Sequence, residues 1–248
     1  MTQPEWQTLM ERLHVRAVTE DPLVREELAE VNKARRTVWT ADVRNMVAQD
    51  IGRRALIWQN ALCRQPQAMR QAFSKCVGGT GIVIEGAIGT GKTTMAVHLL
   101  LGLAAQEAIT MQRHGFDLPE PEAFAYATRS ADLFRSLGAR YGEAKERGNA
   151  ILARARAVRY LLVDDVGREA EDPDSFAAFQ SLIDYRYSQE RPVIIATNMT
   201  SAEYAAASMD ANGQTIPAGP KVHWAAIISR WHQVASWISL DGDDLRKR

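Results

Sequence analysis

The run Gly86-Ala87-Ile88-Gly89-Thr90-Gly91-Lys92-Thr93 has the residue types and spacing to hold phosphate. Its glycines let the backbone bend until successive N–H groups and a helix N-terminus point at one anion. Lys92 would reach the β- and γ-phosphates of ATP, and the Thr93 hydroxyl would help hold Mg²⁺, with Thr94 next in line at the helix start. The flanks agree. Ile82-Val83-Ile84 before the run is of strand type, and Thr94 to Leu100 after it has the apolar spacing of a helix. A glycine-rich turn that binds nothing is the bland alternative; every motif position is filled, which sets it aside.

Leu161-Leu162-Val163-Asp164-Asp165 is an apolar run ending in paired carboxylates. Placed beside the phosphate loop, such a strand would deliver Asp164 to the Mg²⁺ shell. Asp165 would face the γ-phosphate and orient or deprotonate water. Alone, the pair reads as a solvated strand end; downstream of a full phosphate loop it reads as a metal site. Val193-Ile194-Ile195-Ala196 ends in Thr197-Asn198, and the Asn198 amide could bond the water or the γ-phosphate; a turn Asn closing a strand is the plainer reading. Arg230, in Ile227-Ile228-Ser229-Arg230-Trp231, could donate to a neighbour's γ-phosphate. From local sequence alone, a surface arginine on an amphipathic helix is the better reading of Arg230.

Positioning these groups needs alternating strands and helices, and the sequence supplies them: an α/β chain with a parallel sheet. After the phosphate-loop strand, strands are expected at 123–128, 160–164, 192–197 and 237–240, with the clearest helix at 176–187. Residues 115–121 and 212–220 read as loops. Residues 1–75 read as helical, with no Gly before Gly52. Asp21-Pro22 is a helix start. Leu23, Leu28 and Val31 make one loose apolar stripe; Thr40, Val43, Met46, Val47, Ile51 and Leu56 make a second run.

The chain of 248 residues suits one nucleotide-binding domain and a smaller appendage. Its 30 basic and 30 acidic side chains balance, so nucleic-acid binding must come from a local patch. Cys63 and Cys76 form no C-x-x-C pair, which argues against a zinc module and a disulfide framework. The five histidines show no metal-ligand spacing. Glu5 and Glu11 make the start unlike a signal peptide, and no stretch reads as a membrane span. The expectation is a soluble, cytoplasmic protein.

In order, the phosphate loop, Leu-Leu-Val-Asp-Asp-Val-Gly, Phe-Gln-Ser-Leu-Ile-Asp-Tyr-Arg-Tyr, Pro-Val-Ile-Ile-Ala-Thr-Asn and Ile-Ile-Ser-Arg resemble AAA+ ATPases of the DnaC/IstB group over residues 78–248. DnaC-type replicative helicase loaders look most similar. The resemblance implies a P-loop NTPase sheet flanked by helices, an N-terminal helical appendage and no full C-terminal lid domain. It makes Asn198 the first nucleotide sensor, Arg230 the trans-acting arginine finger and Arg246 the second sensor. It also implies self-association through ATP-bridged interfaces. Asp165 stands where many relatives have Glu, whose longer arm places water better, so turnover is expected to be slow. The 212–220 loop is longer than usual before Arg230.

Residues 129–159 carry a local excess of five positive charges, with Phe134 and Tyr141 interleaved. Cations for phosphates and aromatics for bases suit single-stranded DNA, and a solvated helical face with Phe134 in the core suits the same residues equally. The resemblance favours DNA, with Arg129, Arg135, Arg140, Tyr141 and Lys145 as contacts and bends at Gly142 and Gly148 exposing the segment. It likewise implies that residues 1–75, with Trp6, Trp39 and Trp58, dock a replicative DNA helicase. Rival readings are an IstB-like regulator of transposition, a small P-loop kinase and a nucleotide-gated binding module.

Overall fold

Apolar runs as unbroken as Ile82-Val83-Ile84 and Leu161-Leu162-Val163 belong to strands covered on both faces. The computed structural model, which describes residues 22–52, 66–139, 141–167, 172–200, 231 and 235–240, places them so. Helix α1 (Pro22–Ile51) and α2 (Pro66–Val77) precede β1 (Gly81–Gly86) and α3 (Lys92–Arg113). A single-turn α4 (Pro121–Phe124) leads into β2 (Ala125–Arg129), α5 (Ser130–Leu137) and α6 (Gly142–Ala157). Then come β3 (Tyr160–Val166), α7 (Pro173–Ser188), β4 (Val193–Thr197) and β5 (Ala235–Leu240). The five strands are all parallel, in the order β2-β3-β4-β1-β5. Each expected strand is present within a few residues of its expected bounds.

Alternation divides the side chains between two cores. Ile82, Ile84, Leu162 and Ala196 face α1, α2 and α3, where Val43, Val47, Leu99, Leu100 and Leu103 are buried. Val83, Leu161, Val163 and Ile195 face α5, α6 and α7, where Leu133, Phe176, Phe179 and Leu182 are buried. The result is a sheet between two helical layers. Phe134 lies in the second core, edge-on to Phe176 and tilted against Phe179, so it is unavailable to a base.

Two further expectations are corrected, at Gly148 and at α3. The two apolar runs of the N-terminal region, as far as Ile51, lie on one helix of 30 residues, whose row Trp39, Val43, Val47, Ile51 keeps one face continuously buried; Leu56 lies outside the described residues. Trp39 packs edge-on against Phe124, and its indole N–H donates to Pro119 O at 2.6 Å. Gly148 makes no bend: it sits inside α6, where a Cβ would lie 2.2 Å from Ser136 O, so its bareness lets α6 press on the end of α5. The 22-residue α3 is long and apolar enough to cross a membrane, contrary to the reading that no stretch is. Half of that apolar stretch is instead buried in the first core, Val97, Leu99, Leu100 and Leu103 among it.

Arg186 ties the second layer to the sheet. Wholly buried, it donates from Nη1 to Ala155 O (2.7 Å) and Val158 O (2.9 Å). Its Nη2 donates to Arg159 O (2.9 Å) and Pro192 O (2.7 Å). The end of α6 and the starts of β3 and β4 are thus held by one guanidinium. Burial, with Arg191 nearby, pulls its pKa down to about 9.

Candidate nucleotide-binding site

The loop after β1 turns through three glycines with positive φ, Gly86 (149°), Gly89 (84°) and Gly91 (93°). At Gly86 a side chain is excluded as well, since a Cβ would meet Leu240 O at 2.5 Å. The end of β5 therefore presses on the loop. Thr90 Oγ1 donates to Ala87 O at 2.9 Å, closing the turn. Lys92, at the first residue of α3, folds its ammonium over the loop and donates to Gly86 O (2.8 Å) and Ala87 O (2.6 Å). A buried cation held by loop carbonyls over a helix N-terminus can exchange those partners for phosphate oxygens. Ile88, at the loop tip, is exposed.

Thr93 Oγ1 donates to Asp164 Oδ1 at 2.8 Å, across 71 residues of sequence. The strand bearing Asp164 is not the immediate neighbour of β1. β4 lies between them. The carboxylate still reaches Thr93 because Asp164 is near the C-terminal end of β3, beside the start of α3. A hydroxyl and a carboxylate so placed fit a divalent cation, which would take the proton's position and complete its shell with phosphate oxygens and water. Among the described residues no group of three His, Cys, Asp or Glu could form an all-protein metal cage. Asp164 is 7% exposed, and that burial, with the Asp165 charge beside it, raises its pKa against the lowering effects of the Thr93 hydroxyl and Arg129.

Asp165 follows in a left-handed conformation, φ 57°, where the β3–β4 register shifts between Val163 and Val166. The irregularity turns its side chain out of the sheet, the use to which bulges near functional sites are put. Asn198 Nδ2 donates to Asp165 Oδ1 at 2.6 Å, and Ser130 Oγ donates to Asp165 O at 2.8 Å. Thr197 Oγ1 donates to Val166 O at 2.8 Å, pinning the strand end that carries Asn198.

Lys92, Thr93, Asp164, Asp165 and Asn198 are thus brought together at the C-terminal ends of β1, β3 and β4. Arg230, Arg246 and the 212–220 loop lie outside the described residues, as do Arg140, Trp6 and Trp58. The other proposed DNA contacts divide. Tyr141 is 84% exposed at the start of α6, and Lys145 is exposed on the same helix. Arg135 is exposed but pairs with Asp132 at 3.0 Å. Arg129 stands apart, its Nη2 donating to Ile51 O at 3.1 Å. Several other cations counted in that stretch are engaged: Arg147 with Glu143, Arg159 with Glu107, and Arg154 over the Tyr126 ring. The sequence reading missed Ser130 and the Arg129–Ile51 contact, whose partners lie 35 and 78 residues away.

Strand order, loop and carboxylates together define a P-loop nucleotide-binding domain. Residues 74–248 match the family model of IstB-like ATP binding proteins of the IS21 type, and the chain belongs to that family. No curated protein is significantly similar to it in sequence. Among solved structures it is similar in fold to DnaI, with 19% identity, a TM-score of 0.52, and coverage of 76% of this chain and 86% of that one. The DnaC helicase loader matches at 19% identity and a TM-score of 0.48, over 73% of this chain and 90% of that one. AMPPCP-bound DnaA from Aquifex aeolicus matches at 17% identity and a TM-score of 0.46, over 75% of this chain but 48% of that one. At 19% identity the likeness to DnaI is one of fold alone.

Proposed function

We propose that the chain is a Mg²⁺-dependent ATPase of helicase-loader type, which binds single-stranded DNA and opens or delivers a hexameric replicative helicase in the cytoplasm. The convergence of Thr93, Asp164, Asp165 and Asn198 on one sheet end carries the ATPase part of this reading. Lys92 binds the β- and γ-phosphates, and Thr93 with Asp164 holds the metal, which neutralises phosphate charge when bound. Asp165 accepts the proton of the attacking water. Asn198, freed from Asp165, turns its amide to the γ-phosphate. Arg230 of a neighbouring copy completes the site, so hydrolysis requires self-association. Arg246 contacts the nucleotide from the same chain.

The DNA part rests on the start of α6, where exposed Tyr141 offers a stacking ring and exposed Lys145, one turn on, a cation. Residues 1–75 would dock the helicase through what α1 leaves outward, including exposed Val38. A second reading, an IstB-like regulator of transposition acting on duplex DNA, is favoured by the family match.

Phosphate release measured with single-stranded and with duplex DNA of the same sequence separates the readings. The loader reading expects stronger stimulation by the single strand and loss of release in Arg230→Ala. Preference for duplex would move the assignment to the second reading. Release that is absent under all conditions would remove the ATPase reading itself.

A further inference from the structure

The C-terminal part of α1 is fastened to β2, the edge strand of the sheet, and to α6. The Asp50 carboxylate lies near the Ala127 backbone N–H, whose dipole lowers its pKa against the larger raising effect of burial. Arg154 Nη2 donates to Met46 Sδ at 3.4 Å. At the helix end the carbonyl of Ile51, one of those that no helical N–H can satisfy, takes its hydrogen bond from Arg129 Nη2. Gly52 follows with φ 106°, and a Cβ there would lie 3.9 Å from the same Nη2. Arg129 is the last residue of β2 and is in register with Asp164 on β3. The guanidinium thus bonds a helix C-terminus, which carries partial negative charge, and its charge is also felt by the carboxylate paired with Thr93.

We infer that Arg129 is a positioning residue that couples the N-terminal helix to the nucleotide site: the Arg129–Ile51 bond tightens when Asp164 is committed to a metal, and α1 is thereby held more firmly. The inference rests on the reading of Asp164 as a metal ligand. With Asp164 free, its charge competes with the Ile51 carbonyl for the guanidinium. With that charge compensated, Arg129 is left to the helix end, where the dipole favours it. Coupling of this kind is reciprocal, so fixing the end of α1 from outside strengthens nucleotide binding by the same factor. A partner seated on α1 would then be sensed at Asp164 without touching the phosphate loop.

Hydrogen exchange of the full-length chain, with and without Mg²⁺–AMPPCP, tests this. The amide of Gly52, bonded to Ala48 O at 3.1 Å, reports the last turn of α1. Amides at the start of α3 report nucleotide binding itself. In the wild type, nucleotide is expected to slow exchange at both places, at the α1 end by about fivefold or more. Arg129→Ala removes the effect at α1 and keeps it at α3, and Arg129→Lys restores it in part. Should the alanine variant fail to fold, Arg129→Gln, nearer in size, serves the same comparison. Undiminished slowing at α1 without Arg129, or none in the wild type with α3 protected, overturns the coupling alone. No protection at α3 in the wild type overturns the nucleotide-site reading and the coupling with it.

Discussion

Asp164→Asn should make the nucleotide-free protein more stable while removing the metal site. Asp164 is 7% exposed, and burial is the largest cause of its raised pKa. The amide keeps an oxygen for the Thr93 hydroxyl and removes both the desolvated charge and its repulsion from Asp165. A folded pKa raised above the unfolded value of 3.8 means that folding takes up a proton. The group's favourable contribution is complete below the unfolded value and is lost as pH rises through the folded one. At neutral pH the wild type has lost it, and the variant has nothing to lose. Relief of one buried charge at a functional site is worth about 1–2 kcal/mol, or roughly 2–8 °C in Tm for a chain of this length. Thermal melts between pH 5 and pH 8, with and without Mg²⁺–AMPPCP, measure this directly. The variant should melt higher without nucleotide, by a margin that narrows as pH falls through the raised folded pKa of Asp164. A ligand present at a hundred times its Kd adds about 2.7 kcal/mol to the wild type, and that gain should be largely absent from the variant. A variant that melts lower without nucleotide, or that gains as much from Mg²⁺–AMPPCP as the wild type, refutes the reasoning.

Two other substitutions follow from particular contacts. Gly148→Ala sets a gain in helix propensity of about 1 kcal/mol against a Cβ 2.2 Å from the Ser136 carbonyl. Overpacking against backbone costs about 1–3 kcal/mol, so urea unfolding should show a net loss, and a stabilised variant would contradict the α5–α6 packing. Asn198→Ala removes the amide held 2.6 Å from Asp165. It should lower phosphate release by roughly 10²-fold while leaving AMPPCP affinity nearly unchanged, as expected of a group used in the transition state; an equal loss in affinity would place Asn198 in ground-state binding instead.

The legible parts of this chain were those whose chemistry is local. The phosphate loop declares itself because its glycines, Lys92 and Thr93 are consecutive, and the strands declare themselves because both their faces are buried. Strand order is not local, so nothing in Leu161 to Asp165 announces that β4 separates it from β1. Within the N-terminal region, Pro22–Ile51 and Pro66–Val77 were legible as helical, and the buried row from Trp39 to Ile51 shows why the second apolar run is the better one, the earlier turns of that helix being more exposed. Glycines at 142 and 148 look alike in sequence. Gly142 has φ 59° and open space around it, while Gly148 is a contact point between helices. Charge counting overstated the basic patch, since Arg129, Arg154 and Arg159 find partners on α1, β2 and α3 that lie far away in sequence. Arg186, whose four carbonyl partners all lie in other segments, left no trace that composition or periodicity could detect.

The most direct test of the central claim is an equilibrium titration of AMPPCP into the wild type and Lys92→Ala, in Mg²⁺ and in EDTA. Lys92 donates to the Gly86 and Ala87 carbonyls, which phosphate oxygens can replace, so its loss should weaken binding at least about tenfold with the fold intact. Mg²⁺ should tighten binding to the wild type through Thr93 and Asp164. Equal affinity in the two proteins, with no dependence on Mg²⁺, would mean that the loop from Gly86 to Thr93 and the Asp164 carboxylate do not share a nucleotide.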